Sequence, residues 1–140
     1  MNTKKLIFAV IAVFVLYVAT NYLIHSVILA SAYTTSTAFR PMLEMQAKMW
    51  RLFVADLVWS FFFVFIFTKG YQNKGIMEGI RYGIYIGLFM NFIAAVAQNV
   101  VYPIPYSLAL KWFIYGFIQC VILGVVTALI YKPVEKPASV

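Results

Sequence analysis

The sequence predicts an all-α membrane protein, four transmembrane helices in an antiparallel bundle with both termini in the cytoplasm (N-in/C-in). Three observations lead there. Of 140 residues, 64% are hydrophobic and only 11% are charged, whereas a soluble domain is about 45–50% apolar. Four long apolar runs are separated by short polar, Gly or Pro breaks, and about 20 apolar residues suffice to cross a bilayer. Finally, Gly75, Gly79, Gly83 and Gly87 recur at every fourth position and are followed at the same spacing by Asn91, Ala95 and Asn99. Residues four apart share a helix face. Each interior glycine costs a soluble helix about 1 kcal/mol against alanine, but in lipid a bare face lets a neighbouring helix approach backbone to backbone.

Residues 1–140 read as one domain, with spans at about 6–30, 49–68, 79–101 and 112–131. The first follows the basic start Lys4-Lys5. Ala30-Ser31-Ala32 imitates a signal-peptide cleavage site, but the apolar run is longer than the 7–15 residues of such a leader, so a retained helix is expected. After a Thr/Ser-rich connector, Pro41 suits the first turn of a helix that runs through Trp50 and Arg51 into Leu52 to Thr68. Glu44 and Lys48 stand at i and i+4, a pair worth a few tenths of a kcal/mol. The turn from Lys69-Gly70 to Lys74-Gly75 leads into the third helix, where Glu78 and Arg81 are expected to pair at i and i+3. Tyr102-Pro103-Ile104-Pro105 stops it, since two prolines forbid continuation. Lys111-Trp112 is read as the start of the fourth, and residues 132–140 as a disordered tail.

Gly116, Cys120, Gly124 and Ala128 form a second small-residue ridge, again at every fourth position. Two such ridges on consecutive helices predict close packing of helices three and four, through Gly75, Gly79, Gly83 and Gly87 on one and Gly116 and Gly124 on the other. Self-association between protomers is the competing use of either ridge.

Basic residues set the orientation. With cytoplasmic termini, Lys4, Lys5, Lys69, Lys74, Arg81, Lys132 and Lys136 lie inside, and Arg40, Lys48, Arg51 and Lys111 lie outside, as the positive-inside rule requires. The formal charge of +7 is spread singly and in pairs around the apolar runs. That distribution argues against nucleic acid, which needs a basic stripe on a solvated surface. The single cysteine, Cys120, cannot form an internal disulfide, and no Cys/His spacing for a metal is present.

Polar side chains inside spans mark candidate sites. Depth counting places His25, Asp56, Gln98 and Asn99 in the outer half, with Asn91 and Gln119 nearer the centre. They are expected to converge on a polar cavity between helices one, two and three, open to the outer side. Asp56 must be paired, hydrated or protonated; it is either a boundary acid tied to Arg51 or a neighbouring Lys, or an ion, proton or ligand site. His25 reads as a hydrogen-bonded interfacial histidine or a ligand contact, because one histidine alone is a poor metal site. The amides read as interhelical glue or as cavity lining. No catalytic constellation or cofactor motif is present.

Arg40-Pro41 with Glu44-Met45, the stretch Gly75-Ile76-Met77-Glu78-Gly79-Ile80-Arg81-Tyr82-Gly83, and Tyr102, Pro105, Trp112, Gly116, Gly124 and Tyr131-Lys132 form a familiar set. Together the chain resembles a group of small bacterial four-helix integral membrane proteins of unknown function. The resemblance implies a multi-pass protein of the bacterial inner membrane and brings no assigned activity. The functional expectation is a non-enzymatic binding or interaction protein with no cofactor and no metal. It would be an accessory subunit or homo-oligomer embedded in the lipid bilayer. The alternative is a small oligomeric transporter or channel-like protein for an ion or polar solute; a membrane enzyme acting on lipid or quinone is a third class.

Overall fold

The computed structural model describes residues 2–34 and 38–131; the expected tail and Lys132 and Lys136 lie outside them. Among the described residues all regular structure is helical. Helix α1 (Thr3–Asn21) continues without a break into the π-helical turn π1 (Tyr22–Ile28), and a short α2 (Ala30–Thr34) follows. The long α3 is Met42–Gly70. A third continuous rod joins α4 (Ile76–Gly87), the π-helical π2 (Leu88–Phe92) and α5 (Ile93–Val101), and α6 (Tyr106–Ile130) completes the chain. Four of these rods, Thr3–Ile28, Met42–Gly70, Ile76–Val101 and Tyr106–Ile130, are long and apolar enough to cross a membrane.

Local chemistry sets the ends. The Asn2 side chain accepts from the Lys5 N–H at 3.2 Å and caps α1, satisfying one of the four orphan donors of a helix start. Helix α6 begins at Tyr106, directly after Pro105, and so starts six residues before the expected 112. Lys111 therefore lies inside the helix and not at its start. Gly75 has φ +68° and ψ −150°, a region open essentially to glycine alone, and an added Cβ would meet nothing within 4 Å. It is a turn residue, not the first rung of the packing ridge as the spacing had implied.

The rest of the ridge does pack. A Cβ on Gly79 would run into the Gly124 carbonyl and stand 2.8 Å from the Ala128 Cβ, and one on Gly83 would stand 2.5 Å from the Cys120 carbonyl oxygen and the Val121 Cα. Gly87 meets Phe117 at 2.9 Å. Thus α4 and α6 touch backbone to backbone, and the two small-residue ridges face each other within one chain. Neither is left bare for a second protomer.

The core lies toward the end of the molecule that holds Asn2 and Tyr131. There Leu6, Ala9 and Val13 of α1, Phe63, Val64 and Phe67 of α3, and Leu123 and Ala128 of α6 bury one another. Tyr82 of α4 reaches across, donating to the Phe63 carbonyl at 2.5 Å and stacking edge-on against Phe63 and Phe67. At the other end α3 departs: its buried residues begin only at Ser60, and Met42, Leu43, Trp50, Leu52, Phe53 and Val54 are all exposed. Three rods, not four, therefore surround the interior in that half.

The turn between α3 and α4 is held by Glu78. Its carboxylate accepts the Gln72 N–H at 2.5 Å and the Lys74 N–H at 3.0 Å, and the residue is buried. The expected ion pair with Arg81 does not form. Two backbone donors that would otherwise be orphaned offer a carboxylate more than one exposed guanidinium does. Glu44 pairs with both Arg40, at 2.6 Å, and Lys48.

Candidate functional site

Where α3 departs, a cavity of about 250 Å³ opens between α1–π1, π2–α5 and α6. Its polar lining comes from all three rods: Tyr17, Asn21 and His25 from the first, Asn91 and Gln98 from the second, Trp112 and Gln119 from the third. The structure thus brings together four of the six predicted site residues, His25, Asn91, Gln98 and Gln119. Asp56 and Asn99 are outside the lining. The cavity lies between the first, third and fourth rods; the expected wall from the second is missing because α3 packs on α1 from the far side.

Gln119 organises the floor. Its Nε2 donates to Thr20 Oγ1 at 2.6 Å and Asn21 Oδ1 at 3.0 Å, with the Tyr17 carbonyl at 3.4 Å. The Thr20 hydroxyl can accept because it donates its own proton backwards, to the Leu16 carbonyl at 2.7 Å. Asn21 spends its oxygen on Gln119. Tyr17, Thr20, Asn21 and Gln119 therefore form one polar link between α1 and α6.

No ion pair reaches Asp56 among the described residues; the Arg51 guanidinium sits over the Trp50 ring, 5.5 Å from its centroid. The expected Arg51 tether fails on helix geometry, since residues five apart point about 140° away from each other at 3.6 residues per turn.

Asn91 sits where the small-residue face of α6 makes room for it. Its amide lies directly on Gly116, where an added Cβ would stand 2.7 Å from the Asn91 Cγ. Its Nδ2 donates to the Gly87 carbonyl at 3.3 Å and to Cys120 Sγ at 3.4 Å. Gly116 thus accommodates a side chain and not a helix backbone. Asn99 is turned away, donating to the Ile104 carbonyl at 2.9 Å and stabilising the Pro103–Pro105 turn.

An aromatic cluster adjoins the cavity at His25 and Trp112. The Tyr33 oxygen accepts the Trp112 Nε1–H at 2.7 Å and lies 2.5 Å from His25 Nδ1. Phe39 packs edge-on against Tyr33, centroids 5.0 Å apart, and Trp112 lines the cavity beneath them. Burial holds the Tyr33 phenol above its ordinary 10.0, so the group keeps its proton at neutral pH. Since Trp112 can only donate, that proton is available to a neutral His25 Nδ1, which leaves the other ring nitrogen as the N–H. Tyr33 could not have been found by helical spacing, because it stands eight residues after His25 and across a helix break at Leu29.

Both π-helical turns border this cavity, π1 carrying His25 and π2 carrying Asn91. Such turns occur mostly as isolated insertions and often at functional sites. The side chains facing the cavity retain unused hydrogen-bonding capacity: among the described residues Gln98 has no partner, and Gln119 Oε1 and His25 Nε2 make no hydrogen bond. The lining contains no carboxylate, Lys or Arg. What the arrangement offers is a set of uncharged donors and acceptors around one open cavity.

No protein-family model matches the chain, and no curated protein or solved structure is significantly similar to it.

Proposed function

We propose that the chain is a non-enzymatic integral membrane protein that binds a small, uncharged, hydrogen-bonding group in the cavity between its first, third and fourth rods. In this reading the four rods span a bacterial inner membrane as an antiparallel bundle, N-in/C-in, and the cavity faces the outer side. One observation carries it: amides and an imidazole from three separate rods line a single space, with hydrogen-bonding capacity left over. In hydrocarbon an unsatisfied polar group costs several kcal/mol, so this capacity calls for an occupant. The uncharged lining favours a neutral solute or the neutral part of a headgroup over an ion, and Asp56 is not part of that lining.

The experiment is a high-resolution map of the protein in a lipid nanodisc. Ordered water or a bound polar group within hydrogen-bonding distance of Gln98, His25 and Gln119 is the expected result. A collapsed cavity, with those side chains paired to one another, would overturn the reading.

A second reading, an accessory subunit or homo-oligomer, is favoured by a different feature. The half of α3 before Ser60 buries none of its side chains and exposes a broad apolar surface. Mass measurement in mild detergent separates the two, since a strictly monomeric particle without a co-purifying protein removes this second reading and leaves the first intact.

A further inference from the structure

A second depression lies at the opposite end of the molecule, and its chemistry differs. It is an open depression of about 320 Å³ where the end of α3 meets the start of α4. Ile66, Phe67 and Tyr85 give it an apolar lining, Gly70 adds no side chain, and Gln72 and Arg81 are among its polar lining. Arg81 is exposed and has no hydrogen-bond or ion-pair partner among the described residues. Lys69 and Lys74 flank the same turn; the Lys69 Nζ is held 4.9 Å from the Phe65 ring centroid, and the Lys74 side chain is exposed.

One acid, Glu78, borders the depression, yet its carboxylate is buried and occupied by the backbone N–H groups of Gln72 and Lys74. The charge presented outward is therefore that of three bases, beside a groove with apolar walls. A guanidinium matches phosphate geometry with paired N–H donors, and basic pockets at the ends of membrane helices recognise anionic headgroups. The apolar lining extends onto the exposed faces of α3 and α4, where Ile66 and Tyr85 are 50% and 68% exposed.

From this charge complementarity we infer that the depression is a binding site for an anionic phospholipid, its phosphate on Arg81 and its acyl chain against Ile66 and Tyr85. The site is independent of the polar cavity, which lies at the other end of the rods. It requires only that the rods sit in a bilayer.

Native mass spectrometry of the full chain, released from nanodiscs containing equal amounts of phosphatidylglycerol and phosphatidylcholine with the same acyl chains, tests it. The wild type is expected to retain phosphatidylglycerol in preference. Arg81→Gln is expected to lower that preference about fivefold, the factor associated with one basic residue at a membrane surface. Lys111→Gln, at the opposite end, is expected to leave it unchanged. Gly70→Leu, which adds a side chain where an added Cβ meets nothing within 4 Å, is expected to abolish retention with every charge still present.

Equal retention of both lipids, or an unaltered preference in Arg81→Gln and Gly70→Leu, would overturn the assignment. So would displacement of the lipid by millimolar inorganic phosphate, which would make the site one for free phosphate. Failure of the chain to enter nanodiscs at all would count against the membrane reading above, whereas insertion without selectivity counts against this site alone.

Discussion

Gly83→Ala is the sharpest probe of how the rods are held together. The new methyl carbon would stand 2.5 Å from both the Cys120 carbonyl oxygen and the Val121 Cα, and 2.9 Å from the Cys120 carbonyl carbon. Carbon contacts are most favourable near 3.5–4.0 Å, so α4 and α6 must separate by about 1 Å. The obstructing atoms are backbone and cannot rotate aside. Overpacking of this kind costs about 1–3 kcal/mol, while replacing a helical glycine by alanine recovers about 1 kcal/mol of intrinsic propensity. A net loss of up to about 2 kcal/mol is expected.

Gly70→Ala makes the same chemical change where nothing lies within 4 Å and is expected to shift stability by no more than about 0.5 kcal/mol. Gly87→Ala should fall between them, because its nearest obstacle is the Phe117 ring and a ring can move. Reversible unfolding in mixed micelles with rising dodecyl sulfate fraction, followed by far-ultraviolet circular dichroism, measures all three. A Gly83→Ala protein more stable than wild type, showing the full propensity gain with no packing cost, would refute backbone contact between α4 and α6.

Three further outcomes follow from individual hydrogen bonds. Gln119→Leu removes the donor to Asn21 and Thr20 and is expected to cost about 1–3 kcal/mol; the same unfolding assay, in a double-mutant cycle with Asn21→Leu, should give a coupling of at least about 0.5 kcal/mol. Glu78→Gln leaves one of the Gln72 and Lys74 N–H groups without an acceptor, so those two amides should exchange faster with solvent deuterium than in the wild type while amides in α6 keep their protection. Tyr33→Phe removes the oxygen shared by Trp112 and His25, and the Trp112 indole N–H resonance should move upfield and broaden, with the Trp59 signal unchanged.

The four rods were legible because a membrane span is written in composition and length, and both survive any error in register. The contact between α4 and α6 was legible for a related reason: Gly79, Gly83, Gly124 and Cys120 leave so little side chain that few other uses exist for them. Legibility ended where one residue of offset matters. A four-residue spacing drifts by about 40° per step around a helix of 3.6 residues per turn, so the stripe extended from Gly75 to Asn99 leaves the interface at both ends. Gly75 falls in a turn and Asn99 faces the Pro103 loop.

The wider turn of π2, with its i→i+5 bonding, takes up part of that drift and keeps Asn91 on Gly116; nothing in the residue types of Leu88 to Phe92 announces it. Glu78 was misread because its partners are backbone N–H groups, which carry no sequence signature. The position of α3 escaped for the same reason as the cavity wall: its Phe- and Val-rich faces look alike in sequence, whether turned to protein or away from it.

Central to this reading is that polar side chains of three rods line one cavity that is open to a polar occupant. Adjacent cysteine substitutions test it most directly. Ala94 lines the cavity, while its neighbour Ile93 is 56% exposed on the apolar outer surface; native Cys120 is buried and gives the background. With a membrane-impermeant maleimide applied to intact cells, Ala94→Cys and Gln98→Cys are expected to react and Ile93→Cys to stay unlabelled. Equal protection of all three positions, or labelling of Ile93→Cys as fast as Ala94→Cys, would contradict the account.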